Sequence, residues 1–424
     1  MAHYVVLGNS AAGLTAIDAI RQRDKHSPIT LISKEPDVAY SRVALPYILS
    51  REKTLRQITL QDDAYFTANN VETIIGFGAV SVDTKAKTVS LEDRRAVPYD
   101  KLLISTGSAS RVPPVQGITD ADVCYHWTLA DTRKLEQQLA SAKSCFVIGA
   151  GFISLLTVSA LIKAANLKYT VVEMADQVMP QLVDEPGGRA LERGMRQKDI
   201  DVVLGDQVAT IEHRSSPSAG GGAAYGITLK SGKTHDADMI VCGAGVHPNI
   251  DFLADSGLET GRGILTDERQ ETNIPGVYAA GDCAEGADFL SGERVVHAIW
   301  PTAIDQGRVA GANMAGDSQI YPGSLSWNVT ELFGLTMASV GEFRDRDPWE
   351  PIVFQNEAAN TYRKLLLDNG RIVGAVVIGR ADHVQDLGVV QAMIRRKSDV
   401  TRWKHLMQGE CINYGMLAYE TIKK

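Results

Sequence analysis

The sequence is poor in cysteine and has no closely spaced cysteine pair. Its 424 residues include five cysteines, and the two nearest in sequence, Cys124 and Cys145, are 21 residues apart. Structural zinc sites and ordinary iron–sulfur clusters usually depend on cysteines a few residues apart. The spacing therefore argues against a metal site, although scattered cysteines could still assemble a cluster. It also excludes a redox-active disulfide between neighbouring cysteines.

Other absences argue against nucleic-acid-binding, membrane-spanning and secreted proteins. No long block of Lys and Arg occurs in a chain of net charge −8, which argues against nucleic-acid binding because phosphate contacts need clustered cations. No uncharged apolar run approaches the ~18 residues that span a bilayer, and no signal peptide precedes the first strand-like residues, "HYVVLG". We therefore expect a cytoplasmic, globular protein of two or three domains.

One pattern occurs twice along the chain. Residues 4–20, "YVVLGNSAAGLTAIDAI", and residues 145–162, "CFVIGAGFISLLTVSALI", each read as an apolar strand, a glycine-rich turn and a helix. Each leads into another apolar strand, at 29–35 and at 169–174. Because such βαβ units begin parallel sheets, the predicted fold class is α/β with two Rossmann-like dinucleotide-binding domains.

The first turn, "GNSAAG", carries part of a dinucleotide-binding fingerprint. Gly8 and Gly13 hold its first and last glycine positions, and Ser10 holds the middle one. The glycines permit a tight turn and a close approach of helix and strand, and the helix N-terminus offers amides to a pyrophosphate. Glu35, near the end of the second strand, is our choice for an adenosine ribose. The alternatives are a glycine turn that begins a helix without a ligand and a solvated loop acid.

Two later stretches support this first site. "LLISTGS" (102–108) ends an apolar strand with small polar residues whose amides can pass close to a ligand. "GVYAAGDCAEG" (276–286) places Asp282 directly after a buried strand and a glycine. A carboxylate there can accept hydrogen bonds from ribose or ribityl hydroxyls. The alternative for Asp282 is a helix N-cap, a position that aspartate also favours.

The second turn, "GAGFIS", repeats the fingerprint with Gly149, Gly151 and Ser154 at its three positions. Glu173 ends the following strand, at a spacing that suits a carboxylate bonded to the adenosine ribose. No Arg or Lys occurs in "EMADQ" (173–177) to neutralise a 2′-phosphate, and the carboxylate would repel one. The second site is therefore predicted to prefer NAD(H) over NADP(H).

The motifs together resemble a known family. The two fingerprints, "STGS" (105–108), "CGAGVHPN" (242–249) and "YAAGDC" (278–283) are similar to those of the two-dinucleotide-binding-domain flavoproteins, the pyridine nucleotide–disulfide oxidoreductase superfamily. Within it, "AYSRVALPY", "HAIWPTAIDQGRVAGANMAG" and "GAVVIGRADHVQDLGVV" look most similar to the flavin domain of NADH-dependent nitrite reductase. Rubredoxin reductases and NADH oxidases are near relatives. The resemblance covers nearly the whole chain.

The resemblance implies FAD in the first site, NAD(H) in the second and a discontinuous FAD domain. The expected FAD-binding domain comprises 1–112 and 245–318, the expected NAD(H)-binding domain is 113–244, and a smaller α+β interface domain is expected at 319–424. A homodimer through that last domain is a further expectation, with no metal site.

The resemblance also assigns site residues. Asp282 would hold the ribityl chain of FAD, and "HAIWPTA" would lie along the flavin ring. The residues expected to bind FAD are Gly8, Ser10, Ala11, Ala12, Gly13, Glu35, Arg42, Thr106, Gly107, Gly281, Asp282, Trp300, Pro301 and Thr302. The residues expected to bind NAD(H) are Gly149, Gly151, Phe152, Ile153, Ser154, Glu173, Gly243 and Gly245.

Two positions depart from the family pattern. Family members usually carry a glutamate near the nicotinamide at the position of Leu156, so the positioning of the nicotinamide is in doubt. Relatives with a single cysteine beside the flavin would have it at about Arg42, and arginine forms neither a thiolate nor a mixed disulfide. A cation near the cofactor could instead stabilise the pyrophosphate or the reduced flavin. The alternative is a surface arginine packed on Tyr40 or Tyr47.

Without a thiol relay or an evident iron–sulfur motif, electrons on the flavin must leave through another molecule. We expect exchange of hydride between NAD(H) and FAD, and of single electrons with an iron–sulfur partner. The favoured version is the flavin subunit of a larger oxidoreductase complex, and the alternative is a free NADH-dependent rubredoxin or ferredoxin reductase. A flavin-holding interaction or sensor protein without significant turnover is a third possibility, to which Leu156 gives a little support.

A few other residues have uncertain roles. No general acid or base is required for hydride exchange, so His247, His297 and Lys53 are interpreted as structural or rim residues. The last part of the chain carries Trp403, Met407, Tyr414 and Met416, which could dock a partner or form the core of the interface domain.

Overall fold

A computed structural model describes residues 1–214, 223–385 and 387–409. The predicted small-residue loop at 214–224 lies almost entirely outside the described residues. The first elements are β1 (Tyr4–Leu7), α1 (Ala11–Arg23), β2 (Ile29–Ser33), β3 (Ala39–Tyr40), the 3₁₀ helix η1 (Arg42–Ala44), α2 (Leu45–Leu49), α3 (Leu55–Ile58), β4 (Thr59–Gln61), α4 (Asp63–Ala68), β5 (Val71–Ile75), β6 (Ala79–Asp83), β7 (Thr88–Leu91), β8 (Ala96–Pro98), β9 (Lys101–Ile104) and β10 (Ser108–Ser110).

The remaining elements follow in chain order. The middle of the chain forms α5 (Leu129–Leu139), β11 (Ser144–Ile148), α6 (Phe152–Ala164), β12 (Lys168–Glu173), α7 (Glu185–Arg196), β13 (Ile200–Leu204), β14 (Val208–His213), β15 (Tyr225–Leu229), β16 (Thr234–Ala237), β17 (Met239–Cys242) and β18 (Val246–Pro248). The last part forms η2 (Asp251–Leu253), β19 (Ile264–Leu265), β20 (Val277–Ala279), β21 (Ala284–Ala287), β22 (Arg294–Val295), α8 (Trp300–Met314), β23 (Trp327–Leu332), β24 (Leu335–Gly341), β25 (Glu350–Asn356), β26 (Thr361–Asp368), β27 (Arg371–Gly379), η3 (Ala381–Val384), α9 (Leu387–Arg396) and η4 (Thr401–Met407).

The chain divides into two compact units. The first unit comprises Met1–Ala109 and Val246–Leu325, and the second comprises Ser110–Gly245 and Ser326–Lys424. Each fingerprint therefore lies in its own unit. Among the residues that the structure describes, no helix has the length and the apolar character needed to cross a membrane.

The first unit is built on a parallel sheet with strand order β20-β9-β1-β2-β5. Strand β1 is buried along its whole length, and β9 is buried apart from Lys101, because both faces of the sheet are covered, as is typical of parallel sheets. The chain passes from β1 to β2 on one side and returns to β9 on the other, so the strand order reverses at β1. In such sheets, ligands bind at the carboxyl ends of the strands beside this reversal.

Helices α1 and α8 of the first unit pack unusually closely. A Cβ atom on Gly307 would lie 2.3 Å from the Ala12 carbonyl oxygen, and one on Gly311 would lie 2.4 Å from the Ala16 carbonyl oxygen. The two glycines are one turn apart, so they present a continuous groove to α1. This packing places Gly307, in the second turn of α8, beside the first turn of α1, and Trp300 contacts the apolar cluster that α1 anchors.

The second unit repeats the βαβ arrangement and adds an antiparallel sheet. Its parallel sheet has the order β13-β12-β11-β17, and the strand order reverses at β11. Strands β14, β15 and β16 form a three-stranded antiparallel sheet, whose apolar side packs with Phe146 and Ile240. The turn that follows β11 is therefore the expected ligand-binding edge of this unit.

Strands β23 to β27, within residues 327–379, form a five-stranded antiparallel sheet with the order β23-β24-β27-β26-β25. The hairpin predicted from "DNG" is confirmed: Asn369 and Gly370 join β26 to β27 with φ angles of 47° and 75°. Two positive φ angles are what a tight two-residue hairpin turn requires. The predicted class, two Rossmann-like units and a smaller α+β domain, is confirmed.

Candidate functional site

The first glycine turn is shaped by backbone contacts that leave no room for a side chain. Gly8 has a φ of 121°, and a Cβ atom on it would lie 2.1 Å from the Ser105 carbonyl oxygen. A Cβ atom on Gly13 would lie 2.0 Å from the Gly8 carbonyl oxygen. Ser10 is the N-cap of α1, but its side chain caps no amide. The first-turn amides of α1 thus point from the carboxyl edge of the sheet without a capping side chain, which suits a pyrophosphate.

Glu35 and Arg42 form an ion pair that sequence spacing did not reveal. The Arg42 guanidinium donates to Glu35 Oε1, and the Tyr40 hydroxyl donates to Glu35 Oε2 at 2.5 Å. The Arg42 guanidinium also lies 5.6 Å from the centre of the Tyr40 ring. Burial by itself would lower the pKa of Arg42, but Glu35 and Tyr40 raise it. The guanidinium is therefore fixed in place rather than extended into solvent, and its ring contact is with Tyr40.

Asp282 interacts electrostatically with Arg42, a member of this ion pair. It follows β20 and precedes β21, so it does not cap a helix, and that alternative is wrong. Its Oδ2 atom accepts a hydrogen bond from the Ser108 hydroxyl at 2.7 Å. Burial raises the pKa of Asp282, while Ser108 and Arg42 act in the opposite direction. Hydrogen bonds between Thr106 and Asn249 hold the neighbouring "STGS" turn.

The three residues expected along a flavin ring have different environments. Thr302 is buried in the first turn of α8, Trp300 is partly buried against the α1 cluster, and Pro301 is exposed. Pro301 occupies an early helical position, where proline is favoured because its missing amide has no partner there anyway. The structure thus brings Trp300 close to the first glycine turn.

In the second glycine turn, the close contacts involve Gly243 and the serine at the third fingerprint position, unlike those of the first turn. A Cβ atom on Gly149, whose φ is 92°, would lie 2.7 Å from the Gly243 carbonyl oxygen. A Cβ atom on Gly243 would lie 2.0 Å from the Ser154 hydroxyl, which occupies the third fingerprint position. Gly151 is the N-cap of α6, and a Cβ atom there would meet nothing nearer than 3.7 Å. A methyl group at Gly151 would therefore make only an ordinary contact with the Gln181 side chain.

Glu173 is bound to backbone amides at both carboxylate oxygens. Its Oε2 atom accepts from the Ala150 amide at 2.7 Å, inside the fingerprint, and its Oε1 atom accepts from the Ala175 amide at 3.0 Å. The side chain is 8% exposed. Because a carboxylate has about four lone-pair positions, acceptor capacity is left for ribose hydroxyls. A negative charge held at this position would repel an additional phosphate.

The contact of His126 with α6 had no signal in the sequence. His126 is buried, and its Nδ1 atom lies 2.9 Å from the Thr157 hydroxyl on α6. Burial lowers the pKa of His126 to about 4, so the ring is neutral at pH 7. Leu156, on the neighbouring position of α6, is partly exposed. The histidine therefore supports the helix that follows the second glycine turn.

The cysteines of the described residues are not placed for redox chemistry. Cys124, Cys145, Cys242 and Cys283 are all buried and free. Burial raises the pKa of Cys124 to about 12 and that of Cys242 to about 11, so neither is a thiolate at neutral pH. Over the described ranges, no three metal-ligating side chains lie close enough to hold a metal ion.

The candidate docking residues near the C-terminus separate into two sets. Met407 is fully buried, which agrees with a role in the core, and Trp403 is partly buried. Tyr414, Met416 and Cys411 lie outside the described residues.

Comparisons with known proteins identify the family of the chain. The pyridine nucleotide-disulphide oxidoreductase family matches residues 2–307, and the rubredoxin NAD+ reductase C-terminal domain matches residues 328–395. The subunit epsilon of NADH-dependent phenylglyoxylate dehydrogenase from Aromatoleum evansii is 34% identical over 94% of this chain and 92% of its own length. Nitrite reductase [NAD(P)H] of Bacillus subtilis is 28% identical over 94% of this chain, which spans 48% of that protein.

Solved structures show the same fold. The ferredoxin reductase for the CYP199A2 system from Rhodopseudomonas palustris superimposes with a TM-score of 0.84 at 25% identity, covering 96% of this chain and 100% of that one. The glycine turns, the uncapped helix starts and the paired acids provide in this chain the features that two dinucleotides need. The chain belongs to the pyridine nucleotide-disulphide oxidoreductase family and is an oxidoreductase that uses FAD and NAD(H).

Proposed function

We propose that this chain is the flavin subunit of a larger iron–sulfur oxidoreductase complex and exchanges single electrons with the other subunits. The observation that carries the proposal is the Arg42–Glu35 ion pair. Arg42 occupies the position of the redox cysteine in thiol-dependent relatives, and its side chain is held by Glu35. The described cysteines are buried thiols. Electrons therefore have no thiol route from the flavin and need an external one-electron partner.

The similarity to a named subunit supports the complex. The phenylglyoxylate dehydrogenase subunit epsilon has nearly the same length as this chain, since the match covers 94% of one and 92% of the other. By its name, that protein acts with further subunits and with NADH. We infer the same division of labour here, in which the organic substrate is oxidised elsewhere and this chain reduces NAD⁺.

The FAD site is proposed to use the first glycine turn and the network around Asp282. The α1 amides after Ser10 bind the pyrophosphate, Glu35 contacts the adenosine ribose, and Asp282 accepts from the ribityl hydroxyls. When bound, FAD supplies two-electron exchange with the nicotinamide and one-electron exchange with an iron–sulfur centre. Arg42 provides a fixed positive charge beside the site, and Trp300 borders it.

The NAD(H) site is proposed to use the second glycine turn. The absence of a side chain at Gly151 lets the pyrophosphate approach the α6 amides, and Glu173 binds the adenosine ribose. The remaining members of this site are Phe152, Ile153, Ser154, Gly243 and Gly245. Leu156 leaves the nicotinamide end without the acid that relatives use.

The domain bounds and the setting are also proposals. We assign 1–112 and 245–318 to the FAD domain, 113–244 to the NAD(H) domain and 319–424 to an interface domain. Homodimerisation through that last domain, and a cytoplasmic location, complete the proposed setting.

A free reductase is the second candidate. It is favoured by the rubredoxin reductase C-terminal match at residues 328–395 and by the similarity to a ferredoxin reductase structure. In this version, a small iron–sulfur protein takes electrons from NADH through the flavin. A sensor without turnover is distinguished from both by slow flavin reduction, since Leu156 would then leave the nicotinamide poorly positioned.

Gentle purification of the chain from its native source tests the proposal. Co-purifying subunits that contain iron, together with fast flavin reduction by NADH and fast transfer to benzyl viologen, are the expected result. A monomeric or homo-oligomeric flavoprotein that reduces an added rubredoxin or ferredoxin would favour the free reductase. Slow flavin reduction with no transfer to viologen would contradict both.

A further inference from the structure

The loop that carries Arg42 also forms an amphipathic helical turn with an apolar outer face. Leu45 and Leu49, one turn apart in α2, are buried. Val43 and Tyr47, also four residues apart on the run from η1 into α2, lie on the opposite side and are 59% and 46% exposed. Residues four apart share a helix face, so the two exposed side chains are neighbours. Exposed apolar groups arranged in this way typically mark an interaction surface.

This apolar face is bordered by positive charge. The chain after α2 folds back so that the amides of Glu52 and Lys53 both donate to the Tyr47 carbonyl oxygen at 2.9 Å. The Lys53 ammonium consequently lies 5.8 Å from the centre of the Tyr47 ring. Arg51 and Arg56 are exposed on the same segment, against a single acid, Glu52, so the segment carries a net charge of +2 in a chain of −8.

The same turn touches the proposed flavin site on its inner side. Arg42 is the first residue of η1, is paired with Glu35, and is close enough to Asp282 to influence its pKa. Val43 is the next residue and points outward. The outer face thus begins one residue along the chain from Arg42, which belongs to the network that we assign to FAD. A protein docked here would have a short route for electrons.

We propose that Val43, Tyr47 and the cations Arg51, Lys53 and Arg56, together the 43–56 surface, dock an acidic iron–sulfur protein or subunit. Tyr47 supplies an aromatic anchor, and the cations supply the rim, an arrangement common in protein interfaces. The proposal rests on the proposed function, since it names where the one-electron partner binds. The occupant is expected to be acidic because the segment is positive while the chain as a whole is negative.

An acidic flank limits the orientation of that partner. Asp37, Asp62 and Asp63 line one cavity together with Val38, in the same unit as the 43–56 surface. An acidic partner is attracted to the 43–56 surface and repelled from this flank, so the contact has a preferred direction.

The experiment compares electron transfer by two matched double variants. Val43→Asp with Lys53→Glu alters the 43–56 surface. Val80→Asp with Lys85→Glu makes the same substitutions at exposed residues of the β6–β7 hairpin. The FAD-loaded protein is assayed with NADH and either a plant-type [2Fe–2S] ferredoxin or a rubredoxin, over a range of NaCl concentrations. Reduction of benzyl viologen and the FAD content serve as measurements that do not need docking.

The expected result is a selective effect. The first variant should slow transfer to the iron–sulfur protein by about 10-fold at low salt and flatten its salt dependence, because steering of an acidic partner is lost. The second variant should stay within about 2-fold of the wild type, and neither should change viologen reduction or FAD content.

Three results would overturn the docking surface while leaving the proposed function intact. These are equal transfer rates in all three proteins, an equal loss in both variants, or a parallel loss of viologen reduction in the first variant. A change of oligomeric mass in the first variant with unchanged transfer would assign the surface to a second copy of the chain. A wild-type protein that reduces viologen but neither iron–sulfur protein would overturn the proposed function together with this surface.

Discussion

The two glycine turns have the same sequence pattern but secure their acids in different ways. Glu35, in the first site, is held by side chains, the Arg42 guanidinium and the Tyr40 hydroxyl. Glu173, in the second site, is held by backbone amides of Ala150 and Ala175. The first acid therefore depends on one particular loop sequence, and the second depends on the fingerprint backbone itself. The similar spacing of the two motifs in the sequence does not reveal this difference in how the acids are held.

The helices that follow the two turns also differ in the side chain that supports them. The last turn of α1 is tied down by Arg21, which is buried and donates to the carbonyl oxygens of Asn69, Asp24, Ser27 and Asn70. Helix α6 is instead supported by His126, which is neutral. Arginine keeps its charge at all ordinary pH values, whereas histidine changes its charge in mild acid. The two sites should therefore respond differently to acid.

The largest expected effect is that of Gly13→Ala. The added methyl would lie 2.0 Å from the Gly8 carbonyl oxygen, so α1 or β1 must shift. We expect a loss of stability of about 3 kcal/mol and a loss of bound FAD. Thermal unfolding and the flavin absorbance of the purified variant check this.

Gly151→Ala is the comparison variant, at the middle fingerprint position of the second site rather than at the third position that Gly13 holds in the first. Its methyl would meet nothing nearer than 3.7 Å, so unfolding should be unchanged while the Michaelis constant for NADH rises. Equal destabilisation by both variants would contradict the difference in how the two turns achieve close approach.

Acid should weaken the second site before the first. The pKa of His126 is about 4 in the folded chain and about 6.5 when unfolded, so the unfolded chain binds more protons between these values. The contribution of the neutral ring is complete above pH 6.5 and is lost as the pH falls toward 4, by up to about 3 kcal/mol. Urea unfolding from pH 8 to pH 5 measures this loss.

His126→Gln keeps a polar partner for Thr157 and removes the titration. Its stability should therefore fall less steeply with acid than that of the wild type, while NADH binding falls less as well. A variant with the wild-type pH dependence would show that other groups control the acid response.

The next largest expected effect is that Glu173→Ala weakens NADH binding. The substitution removes the ribose acceptor and leaves the Ala150 amide buried without its carboxylate. A hydrogen bond to a charged group contributes about 1.5–3 kcal/mol, so the Michaelis constant for NADH should rise by about 10- to 100-fold. Steady-state viologen reduction measures it.

Glu35→Ala serves as the reciprocal test. It should lower the affinity for FAD and leave the Michaelis constant for NADH unchanged in the fraction that retains flavin. A rise of that constant in Glu35→Ala would mean that the two acids do not serve separate sites.

The smallest expected effect is that of Arg42→Ala. The ion pair is about one-third exposed, so solvent screening limits its contribution to about 1 kcal/mol. We expect a few-fold lower FAD affinity or a small shift of the flavin potential, and Arg42→Lys should retain more of both. Fluorescence titration with FAD and redox titration detect these changes. Wild-type values in Arg42→Ala would remove the proposed electrostatic role.

Much of the fold followed from local patterns in the sequence. The two βαβ units and the Asn369–Gly370 hairpin depend on apolar periodicity and on turn residues, which act over a few positions. The placement of Asp282 after a buried strand also followed from a short motif. Such features need no knowledge of distant contacts.

The contacts that distinguish the two sites could not be derived in this way. The Ser108–Asp282 hydrogen bond joins residues 174 positions apart. The His126–Thr157 contact joins a loop to a helix with no recognisable motif at either end. The role of Arg42 was uncertain because nothing in the sequence indicates which acid it reaches. Tertiary packing determines these contacts, and local patterns in a single sequence do not predict them.

The hydrogen bond from Ala150 to Glu173 has a consequence for how coenzyme preference can evolve. The carboxylate that is predicted to discriminate against a second phosphate also accepts a hydrogen bond from the glycine turn that is proposed to bind the dinucleotide. A mutation toward the phosphorylated coenzyme would thus first damage the platform shared by both coenzymes. Lineages that retain this architecture should keep their preference, and a switch would require several coordinated replacements.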